Sequence, residues 1–420
     1  MNITEHEKGA MRFFASRTGA KDMVVIRGSV LGGYHMLDRK EQMVPALATA
    51  LLDAGTKTKS KEAIRSALTA RGASIQFSPG GDRTHFSATC LPEDTEFVLK
   101  MIADCLRDAL FSANELALEK KRKLAELEET KTETRSLAND EFFRTIYDRT
   151  HANYVEPIAE HIAQTSKTTR SNLLSYQKLL GKGGLVLAIT GDISPEHILL
   201  KAERAFNSLA NGTLRMSEKR ANTVAPKAME KRIFVADKAN IDVMMGAHVP
   251  FTYDSPEFIP FTFVTSMLGA RGISTGHLMR TIRERDGLTY GIYANPVGFA
   301  GGADGAFQIW ATFSPATYEK AVEATQKEIE IFLTTGITPA LIESKKVELV
   351  GRYAIGLATS GGLANTLHTI GIEGKPLSYI EEYPDLINTL TRKDLLDAAS
   401  QVPFDKLTVV SAGTLDAKKK

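Results

Sequence analysis

Arg283 and Tyr290 are the residues of this chain whose types and spacing best suit chemistry. They lie in Ile282-Arg-Glu-Arg-Asp-Gly-Leu-Thr-Tyr290, where a helix ends, a Gly-Leu turn follows and a strand begins. A guanidinium and a phenol held together are hydrogen-bond donors that can steady negative charge as it develops on a carbonyl oxygen. The guanidinium stays protonated and offers a rigid fork, so it can also clamp a main-chain carbonyl. By pattern alone, two plainer readings stand beside this one. Arg283 belongs to the charged run Arg280-Thr-Ile-Arg-Glu-Arg285, a solvated helix face, and Tyr290 alternates with Ile292 as a half-buried strand residue.

A second stretch is informative for what it lacks. Residues Met43–Ala54 read as a helix in which Val44, Leu47, Ala48, Leu51 and Leu52 fall on one buried face, with Gly55 as its stop. Another face presents Ala46, Thr49 and Ala50 at the same i, i+3, i+4 spacing. None of the three is a usual zinc ligand or general base, and by pattern alone this is an ordinary helix that never had ligands.

The elements that position these residues come twice. The first half has a strand at Met23–Gly28, helices near Val44–Leu52 and Ser60–Ala70, and strands near Ala73–Phe77 and Thr84–Leu91. Helices follow from Pro92 to Leu110 and from Asn114 onward. The half closes with the apolar strand 184–190, and Ser194-Pro195 opens another helix. The second half repeats that order: a strand at Ile241–Val249, helices near Phe258–Leu268 and Gly276–Glu284, and strands at Leu288–Ala294 and Ala306–Phe313. Helices capped by Ser314-Pro315 and Thr338-Pro339 follow, and the last strand is 406–412. Short fragments recur at a nearly constant offset: Leu137-Ala-Asn139 with Leu363-Ala-Asn365, Lys120 with Lys346, and Gly191 with Gly413. The small, polar and charged stretch Asn211–Arg232 reads as the joint between halves.

Bulk properties narrow the class. A length of 420 residues implies two or more units. Hydrophobic content of 43% with 24% charged residues is that of a soluble globular protein. A net charge of +2 gives no support to a nucleic-acid or acidic-membrane partner. No apolar run approaches the roughly 18 residues that span a bilayer. The N-terminal stretch as written lacks a signal-peptide pattern, which points to the cytoplasm; a removed leader would point to the periplasm. Cys90 alternates with Phe86 and Ala88, and Cys105 shares a helical stripe with Val98, Met101 and Ile102; both read as core thiols. The glycine-rich run Gly298–Gly305 lies between strands and reads as a hairpin loop, and Gly181-Lys-Gly-Gly184 precedes a strand, so neither cradles phosphate.

The segment Pro45-Ala-Leu-Ala-Thr-Ala-Leu-Leu-Asp-Ala-Gly-Thr56 resembles the first-domain helix of the insulinase (pitrilysin) family of zinc peptidases. Active members carry H-x-x-E-H there, two histidines for zinc and a glutamate as general base. Registering on Gly55-Thr56 sets Ala46 and Ala50 at the histidine positions and Thr49 at the glutamate position. Glu126 is the nearest candidate for the family's later ligand, and alone reads as a surface helix glutamate. The resemblance extends over His151-Ala-Asn-Tyr154, the strand Leu187–Ile193, and Thr338-Pro339 with Glu343 and Lys345-Lys346. Arg283 and Tyr290 match the family's pair in the second domain, which reaches the zinc site of the first; His277 stands nearby as a supporting residue.

The resemblance implies an α+β protein of two homologous domains, 1–215 and 233–420, joined by a linker at 216–232. Each domain would be a mixed or antiparallel sheet with helices packed on one face, the two forming a clamshell half. It implies a subunit with no cofactor of its own. Zinc is expected in a partner that carries H-x-x-E-H, and this chain contributes Arg283 and Tyr290 to the hydrolysis of small unfolded peptides. The alternatives are a non-catalytic scaffold or core subunit, and a metal-free homodimer that binds peptides.

Overall fold

The computed structural model describes residues 2–212, 227–269 and 276–415. Residues 216–226 of the expected linker, and 270–272 of the Gly-Ala-Arg-Gly loop, lie outside the described residues.

Two sheets organise the chain, and the fold is α+β. The first contains β1 (Ile3–Lys8), β2 (Met11–Arg17), β3 (Val24–Leu31), β4 (Ser74–Pro79), β5 (Arg83–Cys90) and β6 (Val186–Gly191), in the order β1-β2-β6-β3-β5-β4. The second contains β7 (Glu230–Phe234), β8 (Ile241–His248), β9 (Thr289–Val297), β10 (Ala306–Phe313) and β11 (Thr408–Gly413), in the order β7-β11-β8-β10-β9. In each sheet the strand that closes the half pairs in parallel with one neighbour, β6 with β2 and β11 with β7; the remaining pairs are antiparallel. Strand β7 begins at Glu230, inside the stretch read from sequence as linker.

Burial follows from the pleat. Strand β5 alternates between half-buried and buried residues along its length, whereas β6 and β11 are buried throughout. A strand buried at every position needs cover on both faces. On one face of the first sheet, Phe13, Ile26, Phe86 and Ile189 meet helices of the first half through Leu47, Val98, Ile102 and Ala202. The other face, with Phe14, Val25, Val186 and Ala188, packs against Leu363, Ala364, Leu367 and Ile370 of the Ser360–Ile372 helix. In the second sheet, Met244, Val410 and Ala412 pack against Ala138, Phe142 and Ile146 of the Thr134–Ile146 helix.

The compact units are therefore not contiguous halves. One comprises Met1–Ala125, Ala159–Ser217 and Val350–Asp385, the other Glu126–Ile158, Glu218–Leu349 and Leu386–Lys420. Each half lends a helical segment to the sheet of the other. The lent helices carry the recurring Leu-Ala-Asn, with Ala138 and Ala364 both fully buried against their sheets. The matched glycines also occupy matched places. Gly191 ends β6 at φ 140° and Gly413 ends β11 at φ 154°. A Cβ at Gly191 would lie 2.1 Å from the Met23 carbonyl oxygen, and one at Gly413 would lie 2.9 Å from that of Asn240. Only glycine fits where the closing strand meets the chain entering its neighbour.

Candidate functional site

The ligand-free helix is shorter than its periodicity predicts. It runs Val44–Thr49 and unwinds through turns to Ala54, with Leu51 N–H on the Ala48 carbonyl and Ala54 N–H on that of Leu51. The Thr49 hydroxyl donates to the Pro45 carbonyl at 2.8 Å, a bond back to its own helix. Thr49 is buried, Ala46 half-buried and Ala50 exposed. Two methyl groups and a hydroxyl already bonded to the backbone give a zinc ion nothing to bind. Among the described residues, no group of three His, Cys, Asp or Glu side chains could hold a metal, whereas catalytic zinc takes three protein ligands. Zinc does not fit here. Glu126 is exposed on the Ala113–Thr130 helix. Beside Thr49 and Ala50 lies a polar pocket of about 510 Å³, lined also by Arg27, His85, Asn365 and His368.

The structure brings Arg283 and Tyr290 together. The guanidinium carbon of Arg283 lies 5.3 Å from the centroid of the Tyr290 ring, a cation–π contact, and Arg283 Nη1 points to Met279 Sδ at 3.8 Å. Two backbone irregularities present them. Arg283 sits in a wide π-helical turn, Met279–Arg285, closed by Asp286 N–H on the Thr281 carbonyl and Leu288 N–H on the Ile282 carbonyl, with Gly287 at φ 62° between them. Tyr290 sits on a β-bulge. Opposite β10, Ile292 pairs with Ala311 while Thr289 pairs with Phe313, so β9 carries an extra residue. The Thr289 hydroxyl stabilises the bulge, accepting from Gly291 N–H at 3.1 Å and donating to the Thr312 carbonyl at 2.7 Å. The extra residue breaks the alternation expected of Tyr290 and Ile292. Ile292 is fully buried and Tyr290 is 84% exposed.

His277 is half-buried away from that pair. Its Nε2 lies 2.9 Å from Glu328, whose other oxygen accepts from Arg285 at 3.0 Å. Burial lowers the pKa of His277, although Glu328 opposes the shift.

Sequence reasoning missed a buried cluster in the second unit. The Asp304 carboxylate receives His151 Nε2 at 2.5 Å on one oxygen and His248 Nε2 on the other, and the His151 ring lies flat on Tyr147 with centroids 4.0 Å apart. Burial would raise the Asp304 pKa, but the two histidine bonds outweigh it and hold the carboxyl well below its ordinary range. No spacing signals this cluster, because its members are 56 and 153 positions apart. The loop 298–305 is the expected hairpin connection, and it carries Asp304. Both cysteines are buried free thiols; burial pushes Cys90 up to about 11 and Cys105 to about 12, so neither is a nucleophile at neutral pH.

Fold and site together define a two-repeat α+β protein whose first repeat has a helix without metal ligands and whose second presents an arginine–tyrosine pair. Residues 47–156 match the family described as "Insulinase (Peptidase family M16)" and residues 169–349 match "Peptidase M16 inactive domain". The chain belongs to the insulinase family, as a member without the H-x-x-E-H motif. It is 24% identical over 285 residues to an uncharacterized zinc protease of Rickettsia felis, covering 67% of this chain and 65% of that protein. It is 22% identical over 326 residues to one of Streptomyces coelicolor, covering 76% and 69%. The chain thus spans about two thirds of the length of these curated relatives. Its fold matches a solved peptidase M16 inactive domain from Pseudomonas fluorescens with TM-score 0.89 at 24% identity, covering 100% of this chain and 99% of that one. It also matches a periplasmic protease of Escherichia coli with TM-score 0.77 at 13% identity, covering 96% of this chain and 44% of that one. Among the described residues, no helix is long and apolar enough to cross a membrane.

Proposed function

We propose that this chain is the non-zinc subunit of a two-chain metallopeptidase, and that Arg283 and Tyr290 act on substrate at the zinc site of an H-x-x-E-H partner. The observation that carries this reading is the exposed Arg283–Tyr290 stack, set on a π-turn and a β-bulge. A tyrosine with no folding role at 84% exposure is costly to hold in one orientation unless it meets something. Supporting it is the emptied helix of the first repeat, where Ala46, Thr49 and Ala50 replace the ligand set. Arg283 would clamp a substrate carbonyl and Tyr290 would donate to the developing oxyanion, both in a water-poor site where such bonds strengthen. Substrates would be small unfolded peptides. Strands β4 and β9 each pair on one side only, so an extended segment can add to either edge. The likeness to a periplasmic protease makes the periplasm the compartment to test first.

Co-expression with a similar-length H-x-x-E-H chain, followed by a peptide-hydrolysis assay of each chain and the pair, tests the reading. The pair should cleave and neither chain alone should. Stoichiometric zinc and cleavage in this chain alone would refute the assignment. An active pair indifferent to Arg283→Ala would leave only the scaffold role.

A further inference from the structure

The pocket beside Thr49 and Ala50 is polar, and Arg27, Asn365 and His368 line it together. Arg27 on β3 donates Nε to Asn365 Oδ1 at 3.1 Å and Nη1 to the Ile26 carbonyl at 3.2 Å; both acceptors are uncharged. With its carbonyl oxygen committed to Arg27, the Asn365 amide has N–H left to offer. Arg83 donates Nε to Ser29 Oγ at 2.7 Å, and Ser29 lies 2.8 Å from His368 Nε2. A guanidinium only donates, so the buried Ser29 Oγ accepts from Arg83. The neutral His368 ring keeps one N–H, which is on Nδ1 when the serine proton is given to Nε2. His85 meets the His368 ring edge-on, with centroids 5.7 Å apart.

The field at these imidazoles is positive. Burial, then His85, Arg83 and Arg27, push the His368 pKa down to about 3, and burial with Arg83 lowers that of His85. One carboxyl belongs to the lining: burial raises the pKa of Asp53, against its own backbone hydrogen bond and the charges of Arg65 and Lys61. Asp82 lies beside Arg83 and 3.4 Å from His35 Nδ1. A carboxylate entering beside Arg27 would meet the guanidinium N–H groups not used on Asn365 and Ile26, together with the Asn365 amide N–H, and such charge-assisted bonds are the strong ones.

We propose that this pocket, emptied of metal ligands, is a carboxylate-binding site that takes the C-terminal carboxylate or an acidic side chain of a peptide on Arg27, Asn365 and His368. Such binding is a property of this chain alone, so it stands or falls separately from the partner's zinc site.

The test uses the purified full chain and fluorescein-labelled alanine pentapeptides, read by anisotropy. One peptide has a free C-terminus, one is amidated, and one is amidated with a single glutamate. The free acid should bind about 10–100-fold more tightly than the neutral amide, the worth of a hydrogen bond to a charged group. The glutamate peptide shows whether a side chain serves as well as a terminus. Arg27→Met, with unchanged circular dichroism and melting temperature, should bring the free acid down to the level of the amide, and Arg27→Lys should recover part of the difference. The His368 Cε1–H resonance should titrate at higher pH when the free-acid peptide is bound. Equal binding of acid and amide, or full binding by folded Arg27→Met, would overturn the proposal. So would stoichiometric zinc uptake that is lost in His85→Gln.

Discussion

Two pockets occupy equivalent places in the two sheets, and they are lined differently. Val24 of β3 lies opposite Gly191 of β6, and Asp242 of β8 lies opposite Ala412 of β11, so Arg27 corresponds to Met244 and Ser29 to Gly246. Ser29 faces His85 and Gly246 faces Gln308, so His85 corresponds to Gln308 and Ser87 to Trp310. Pairing of Gln76 with Ser87 and of Tyr293 with Trp310 completes the match. On the lent helices, the offset that aligns Asn139 with Asn365 sets Phe142 against His368. The second pocket, about 280 Å³, is crowded by an aromatic stack. The Arg135 guanidinium lies 4.0 Å from the Trp310 ring centroid, and Trp310 lies parallel to Tyr293 at 5.6 Å. Beneath it Phe142 reaches Gly246, where a Cβ would come within 2.9 Å of the ring. The first repeat holds a hydrogen-bonded serine and histidine at those two places. One backbone thus supports a packed floor in one repeat and a polar floor in the other.

Truncating the two floors should break the equivalence most sharply. Phe142 is fully buried, so Phe142→Ala should cost about 3–5 kcal/mol. His368→Ala, which leaves the buried Ser29 hydroxyl with Arg83 alone, should cost about 1–3 kcal/mol. Urea unfolding followed through Trp310, the sole tryptophan, reports the second sheet, and far-UV circular dichroism reports both. Equal losses would mean that the polar floor is packed as tightly as the aromatic one.

The next effect in size belongs to the arginine–tyrosine pair. In a cleaving complex, Arg283→Ala should lower kcat/KM about 10²–10³-fold, the worth of an oxyanion donor. Tyr290→Phe keeps the ring on which Arg283 rests and should cost less. Ala46→Ser, on the ligand-free helix and outside the pocket lining, should leave turnover within about twofold, because a serine there supplies neither a zinc ligand nor a general base.

A smaller effect should follow from Thr289→Val. It removes the hydroxyl that bridges Gly291 N–H and the Thr312 carbonyl, so the bulge should lose about 1–3 kcal/mol. If the bulge aims Tyr290, turnover should fall with stability at temperatures well below the melting point. Unchanged turnover would mean that the π-turn alone places the pair.

Much of this was legible in the sequence, for physical reasons. The alternation of β5 and β10 and the all-apolar closing strands report burial directly, so two sheets and their repeat could be read from pattern. The emptied helix and the arginine–tyrosine pair were legible as well, although only the family register gave them meaning. Strands β1, β2 and β7 were not found: β1 and β7 sit at sheet edges with charged residues that dull the alternation, and β2, an inner strand, has consecutive buried residues from Phe13 to Ser16 that show no two-residue period. The extra residue of the bulge is invisible to a two-residue period, so the pattern alone offers a half-buried Tyr290 beside the functional reading. The exchange of helices was invisible too, since the apolar face of the Thr134–Ile146 helix fits either sheet by composition. The Asp304 cluster and the polar pocket depend on contacts across long sequence separations, which no spacing encodes.

The least conspicuous difference between the floors is in their response to acid. Folding pushes His368 down to about 3 from an ordinary value of 6.5, and His85 and His277 shift in the same direction. Between those values the unfolded chain binds more protons than the folded one. The stability that depends on a neutral His368 is therefore intact above about pH 6.5 and lost progressively as pH falls toward 3. Asp304 acts lower, because its depressed carboxyl loses its contribution only as pH falls below the ordinary 3.8. Glu96, Glu141 and Glu203, held below their ordinary 4.5, begin to lose their contributions near that value, so the difference in melting temperature between wild type and a His368 variant, and not either curve alone, isolates the histidine. The double variant Ser29→Gly with His368→Phe installs the second repeat's pair in the first. Its melting temperature should differ from wild type by a constant amount above pH 7, and the gap should move in the variant's favour as pH drops. A gap that stays constant down to pH 4.5 would mean that His368 protonates freely in the folded chain, and that its floor is as open to water as its exposed neighbours.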